Sequence, residues 1–124
     1  MPGQQLAWQA CQSLTTAELG RVGERVAMAM LERHRAAVVA RNLRVGRGEV
    51  DIVARLGRRR ILVEVRSIRD GGAVGRLDPL DSFDRAKARQ VTALAATLRC
   101  DRIDLIAVSF NSEGIDLRWV PDCT

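Results

Sequence analysis

Apolar side chains recur at helical spacing at Leu19, Val22, Val26 and Met30. Thr15-x-x-Glu18, just ahead of them, has the form of a capping box, in which each end of the motif satisfies a backbone amide of the other. A helix is predicted from there to about Arg35. The pattern then changes period. Ala37 to Arg44 is short and rich in valine, Gly46-Arg47-Gly48 supplies a turn, and Glu49-Val50-Asp51-Ile52-Val53-Ala54 alternates apolar with polar residues, which predicts two antiparallel strands. Gly57-Arg58 makes a second tight turn into Ile61-Leu62-Val63-Glu64-Val65-Arg66, whose mostly apolar run predicts a strand buried on both faces. Arg69 to Pro79, with Gly71, Gly72 and Gly75, reads as a surface loop able to touch a ligand. A second helix, capped by Asp81 or Ser82, runs to about Arg99 with Phe83, Val91, Leu94 and Leu98 on one face. Ile103 to Phe110 and Ile115 to Val120 follow as a fourth strand and an edge strand. The predicted fold is α/β, in the order α-β-β-β-α-β plus the edge strand, with helices flanking the sheet.

At 124 residues the chain has room for one core. The domain is predicted over 15–124. Met1 to Ala17 carries no charged side chain, but Gln4, Gln5, Gln9 and Gln12 interrupt it and there is no basic start, so it does not read as a signal peptide, and residues 1–14 are predicted to form a flexible tail. No run approaches the roughly 18 to 20 apolar residues of a membrane span. Cys11, Cys100 and Cys123 are odd in number and scattered, and His34 is the only histidine, which supports neither a disulfide framework nor a structural zinc site and suits a reducing cytoplasm. His34 itself falls near the end of the first helix, where an imidazolium suits the dipole, and is read as structural.

Basic residues outnumber acidic ones by 20 to 15, which favours an anionic partner, nucleic acid first. Lys87 is the only lysine. The aromatic residues are Trp8, Phe83, Phe110 and Trp119, too few for a platform that stacks bases, so contact with phosphates is the expected mode. Arg41, Arg44, Arg47, Arg58, Arg59 and Arg60 lie on the strands and turns beside the acidic residues and are the candidate phosphate contacts. A merely solvated basic face accounts for them equally well.

If Gly57-Arg58 is a two-residue turn, Leu56 faces Arg59, and counting outward sets Asp51 opposite Glu64 and Glu49 opposite Arg66. Like charges facing each other across strands are destabilising. A divalent cation would explain the pair, because Mg²⁺ takes oxygen ligands and typically uses one or two carboxylates together with water and phosphate oxygens. An ion-paired patch, Glu49 with Arg66 and Asp51 with Arg60 or Arg47, is the alternative. Glu24 falls on the small, apolar arc of Gly20, Ala27, Met28 and Leu31, where a third acidic group at a metal and a boundary glutamate bonded to backbone are both consistent with the pattern. Lys87 sits within the apolar stripe of the second helix; its amine either snorkels to solvent or reaches the acidic pair beside Arg66.

Gly23-Glu24, Arg41-Asn42, Gly48-Glu49-Val50-Asp51-Ile52-Val53-Ala54, Val63-Glu64-Val65-Arg66, Lys87 and Arg102-Ile103-Asp104 follow in an order and spacing that resembles the YraN-type bacterial proteins, over about Ala17 to Val120. That family is similar to archaeal Holliday-junction resolvases and shares the PD-(D/E)xK nuclease, or restriction-endonuclease-like, fold. The resemblance implies Asp51 and Glu64 as metal ligands, Glu24 as an accessory acid, and position 66 as the motif's basic residue. Families of this kind carry lysine there. Arg66 stays charged and cannot act as a base, although it can hold a phosphate. The expected activity is Mg²⁺- or Mn²⁺-dependent cleavage of branched or structured DNA, on fold analogy by a homodimer. The alternatives are a DNA-binding module in which Arg66 has ended hydrolysis, and a protein-interaction domain that pairs through the edge Ile115 to Val120.

Overall fold

The computed structural model describes residues 8–69 and 83–124. After a helical segment at 8–12, the elements are α1 (Thr16–Arg33), β1 (Ala37–Val45), β2 (Gly48–Leu56), β3 (Arg59–Arg69), α2 (Arg85–Thr97), β4 (Arg102–Asn111) and β5 (Gly114–Val120). The predicted order of helices and strands is thus present, within a single small α/β domain.

Helix α1 starts where the capping box places it. Thr15 Oγ1 accepts from the Glu18 amide at 3.1 Å, and Glu18 Oε1 accepts from the Thr15 amide at 3.0 Å. The buried column, however, is Leu19, Gly23, Ala27 and Leu31, one step round from the predicted Val22, Val26 and Met30, which are only partly buried. Small residues decide this. A Cβ at Gly23 would overlap Ser67 Oγ on β3, so glycine lets the helix lie closer to the sheet than a valine column could. Gly23→Ala is expected to cost about 1–3 kcal/mol despite the better helix propensity of alanine. Gly20→Ala, where an added Cβ meets nothing within 4 Å, should be neutral or slightly stabilising. Urea unfolding of the two variants checks this difference.

The strands form one mixed sheet in the order β1-β2-β3-β4-β5. β3 and β4 are parallel, with α2 in the connection between them, and the other pairs are antiparallel. Gly46 (φ 60°) and Gly57 (φ 61°) take the left-handed conformation that two-residue hairpin turns need. One core lies under α1, where Leu19, Ala27 and Leu31 meet Ile52, Ala54, Ile61, Val63, Ile106 and Val108. The other lies under α2, where Val91, Leu94 and Ala95 meet Val50, Val53, Leu62 and Ile103. Strand β3 is buried from Ile61 to Glu64, as its apolar run predicts.

Two expectations are corrected. Within the span 1–14 predicted as a flexible tail, residues 8–12 are helical: Trp8 and Cys11 join the core under α1, and Arg69 Nη2 donates to the carbonyls of Cys11 (3.1 Å) and Leu14 (2.7 Å). Uncharged residues written off as tail thus cover apolar surface. The second helix is capped by Asp84, whose side chain accepts from the Lys87 amide at 2.8 Å. Asp81, Ser82 and the predicted loop from residue 70 to Pro79 lie outside the described residues. Among the described residues, no helix is long and apolar enough to cross a membrane.

Candidate functional site

The β2–β3 ladder runs from Leu56↔Arg59, as the two-residue turn requires, to Ile52↔Val63, and it ends there. The expected facing pairs Asp51–Glu64 and Glu49–Arg66 lie beyond its last rung. The alternation of β2 slips at the same place. Val50 and Val53 pack under α2 while Ile52 and Ala54 pack under α1, so the step through Asp51 is not a strict reversal of faces. Asp51 turns its carboxylate toward β3, where Oδ2 accepts from the Val65 amide at 2.9 Å. A side chain supplies the bond that the next rung would have made. On the other flank Asn42 (φ 49°) sits between the rungs Leu43↔Val50 and Arg41↔Ile52, a left-handed conformation that asparagine tolerates.

Where the strands part, Asp51 meets Glu64. The Glu64 side chain is 9% exposed, and Lys87 Nζ stands 3.4 Å from its Oε2. The amine thus leaves the apolar stripe of α2 toward the acidic pair. Glu64 Oε1 is buried, and among the described residues no hydrogen-bond donor meets it. Burial first, and then the Asp51 charge, raise the Glu64 carboxyl to about 7, against the pull of Lys87. Burial also raises Asp51, opposed by the Val65 amide and Lys87, with Glu49 adding to the rise. Glu24 is raised by burial and by Asp51, and Asn42 donates a hydrogen bond to it. Asn42 is the residue whose part in the site was missed. The signal available was its residue type beside Arg41, since asparagine both tolerates positive φ and carries a donor.

Asp104 shows what a structural carboxylate looks like in this fold. It is fully buried, and its oxygens accept from Arg102 Nε and Nη2 (both 2.9 Å), Trp119 Nε1 (2.8 Å) and the Asp122 amide (2.9 Å). Glu64, nearly as buried, has one ion-pair partner, Lys87, and among the described residues one oxygen without a donor, so it lacks the full set of partners that holds Asp104. The Glu49–Arg66 and Asp51–Arg60 pairings of the alternative reading are absent among the described residues, and Asp51 is bonded to Val65 instead.

Other candidates fall elsewhere. Arg66 is exposed on β3, two residues beyond Glu64. Glu24 acts on Asp51 through its charge, but among the described residues no group of three His, Cys, Asp or Glu side chains comes together as a metal cage. Of the three candidate carboxylates, Asp51 and Glu64 lie together and Glu24 is near enough to Asp51 for the two charges to interact. The six arginines do not form one patch. Arg41, Arg44 and Arg47 lie on β1 and its turn, with Arg44 opposite Glu49. Arg58 lies in the turn at the far end of β2, and Arg59 and Arg60 open β3 opposite Leu56 and Arg55, five and four residues along from Asp51, or about 17 and 13 Å at about 3.3 Å per residue. Arg60 serves the fold, its amide bonded to Asp101 Oδ2 at 2.8 Å and its carbonyl to the Asp101 amide at 2.6 Å. His34 is structural, with Nδ1 2.8 Å from the Met30 carbonyl oxygen and its ring edge-on to Trp119.

Fold and site together define a single-domain mixed-sheet α/β protein whose strands part around a buried carboxylate, a half-buried one and a lysine. Residues 23–108 match the uncharacterised protein family UPF0102. The chain belongs to that family, which is the YraN family. It is 35% identical over 118 residues to a UPF0102 protein of Geobacter metallireducens, covering 89% of this chain and 94% of that one. A UPF0102 protein of Chloroflexus aurantiacus is 41% identical over 101 residues (73% and 78%), and one of Thermotoga neapolitana 32% over 103 residues (77% and 90%).

Proposed function

We propose that this protein is a divalent-metal-dependent phosphodiesterase acting on branched or structured DNA, with a restriction-endonuclease-like core. The observation that carries the reading is the convergence of Asp51, Glu64 and Lys87 at the point where β2 and β3 separate, with a buried Glu64 oxygen that no donor among the described residues reaches. Hard, closely spaced carboxylate oxygens suit Mg²⁺ or Mn²⁺, and Asp51 and Glu64 are the residues that would hold it. When bound, such an ion lowers the pKa of water and offsets charge on a phosphate.

The chain's own residues do the rest. The Val65 amide fixes the Asp51 carboxylate between the strands, so its position does not depend on the ligand. Lys87 neutralises part of the acidic pair and stands where it can hold a phosphate oxygen or orient a water. It brings to the acidic pair the positive charge that Arg66, exposed two residues beyond Glu64, is not seen to bring there. Arg41, Arg44 and Arg47, on β1 and the turn into β2, supply backbone contacts, so affinity should fall steeply with salt. Arg58, Arg59 and Arg60 would extend that footprint along β2 toward its other turn.

Cleavage of labelled branched DNA with Mn²⁺ is the test. The parent should cut, Asp51→Asn should not, and Lys87→Met should lose most activity while its thermal unfolding stays near that of the parent. Arg66→Lys should cut at least as well as the parent. DNA binding by the parent without any cleavage would favour the DNA-binding module instead, and the lack of binding even at low salt would exclude both.

A further inference from the structure

The sheet has two edges, and they differ. β1 is interrupted by the register shift between Val38 and Ala40 and by the left-handed Asn42, and it presents Arg41 and Arg44, charges of one sign. Such an edge is blunted against pairing. β5 is regular from Gly114 to Val120, pairing residue by residue with β4 from Asn111↔Gly114 to Leu105↔Val120.

The sequence of β5, Gly-Ile-Asp-Leu-Arg-Trp-Val, is complementary to itself in antiparallel register about its middle residue, Leu117. Turned through a two-fold axis at Leu117, Asp116 falls opposite Arg118, Ile115 opposite Trp119, and Gly114 opposite Val120. Opposite charges and an aromatic set against a β-branched side chain are favourable cross-strand pairs. The backbone agrees with this register. Asn111↔Gly114 closes a two-residue turn, so Gly114, Asp116, Arg118 and Val120 direct their amides and carbonyls at β4. Those of Ile115, Leu117 and Trp119 point outward, and these are the residues that a two-fold pair centred on Leu117 bonds to one another. Ile115, 48% exposed, lines an apolar cavity of about 560 Å³ with Trp8, Leu14, Val22 and Phe110, on the side of the sheet where Leu117 and Trp119 pack.

We propose that two copies of the chain associate through β5 as an antiparallel pair centred on Leu117, joining their sheets into one of ten strands. The inference is independent of the hydrolytic reading. Sedimentation equilibrium should give a mass of twice 13.7 kDa at high protein concentration. Asp116→Arg and Arg118→Asp should each weaken the dimer about tenfold, because the symmetry turns two favourable pairs into like-charge pairs. The double variant should restore it. Amide exchange gives a readout that needs no variant: the amides of Ile115, Leu117 and Trp119 should gain protection as concentration rises, while those of Asp116 and Arg118 are protected throughout. A monomer at every concentration, a dimer indifferent to both single substitutions, a double variant no better than the singles, or exchange at those three amides that ignores concentration would each overturn the proposal.

Discussion

Glu64→Gln is expected to raise the stability of the metal-free protein at pH 8 by about 3 kcal/mol, at 1.36 kcal/mol per pKa unit, while ending cleavage. The Glu64 carboxyl, ordinarily near 4.5, is raised to about 7 in the folded chain by burial and by Asp51. Below pH 4.5 it is protonated whether the chain is folded or not. Between 4.5 and 7 the folded protein keeps a proton that the unfolded chain has released, so stability falls as pH rises through that window and levels off above it. The rise at Asp51 acts in the same sense. Glutamine keeps the size of the side chain and removes the charge, so the variant should lose most of this slope. Denaturant unfolding from pH 5 to pH 8 measures it. In the parent, Mn²⁺ should stabilise at pH 8 and not at pH 5, since a protonated carboxyl is a poor ligand. In the glutamine variant that stabilisation should be largely gone. A parent whose stability is flat or rising over this range would remove the basis for a strained carboxylate pair.

Asp104→Ala is expected to cost about 3–5 kcal/mol, a large part of the roughly 5–15 kcal/mol that stabilises a domain. The aspartate is wholly buried and gathers four donors from β4, β5 and the turn after β5. Truncation leaves Arg102, whose side chain is only 19% exposed, and the indole N–H of Trp119 without their acceptor. Asp104→Asn should cost less, because one carbonyl oxygen remains to accept. Neither change touches the Asp51–Glu64–Lys87 group, so cleavage per folded molecule should persist. Thermal and denaturant unfolding followed by circular dichroism gives the cost. A loss under about 1 kcal/mol would place the Arg102–Asp104 pair among surface ion pairs of little consequence.

Much of the site was legible because strand geometry is so regular. A two-residue turn at Gly57-Arg58 sets the register of β2 on β3, and from it the approach of Asp51 to Glu64 follows by counting. What counting misses is the slip in alternation at Asp51 and the end of the ladder at Ile52. It therefore set Glu49 against Arg66, a pair that the parted strands do not make. The grouping of the arginines was not legible for the opposite reason. Neighbours in sequence across two turns looked like neighbours in space, yet the turns stand at opposite ends of β2. Lys87 was visible as a misplaced charge within an apolar stripe, but where its amine goes depends on how α2 lies across the sheet.

The chain by itself determined the elements and their order: hydrophobic period separates helix from strand, Thr15 and Glu18 start α1, and glycines at positive φ close the hairpins. These are local properties, settled by dihedral preference and by which face of an element is apolar. Tertiary structure alone decided that Gly23, not the valines beside it, meets the sheet, that residues from Trp8 onward close over the core, and that Asp104 is saturated with donors while Glu64 keeps an oxygen without one. Burial and the supply of hydrogen bonds come from segments distant in sequence, and those same quantities shift a carboxylate's pKa and set Glu64 apart from the fully bonded Asp104.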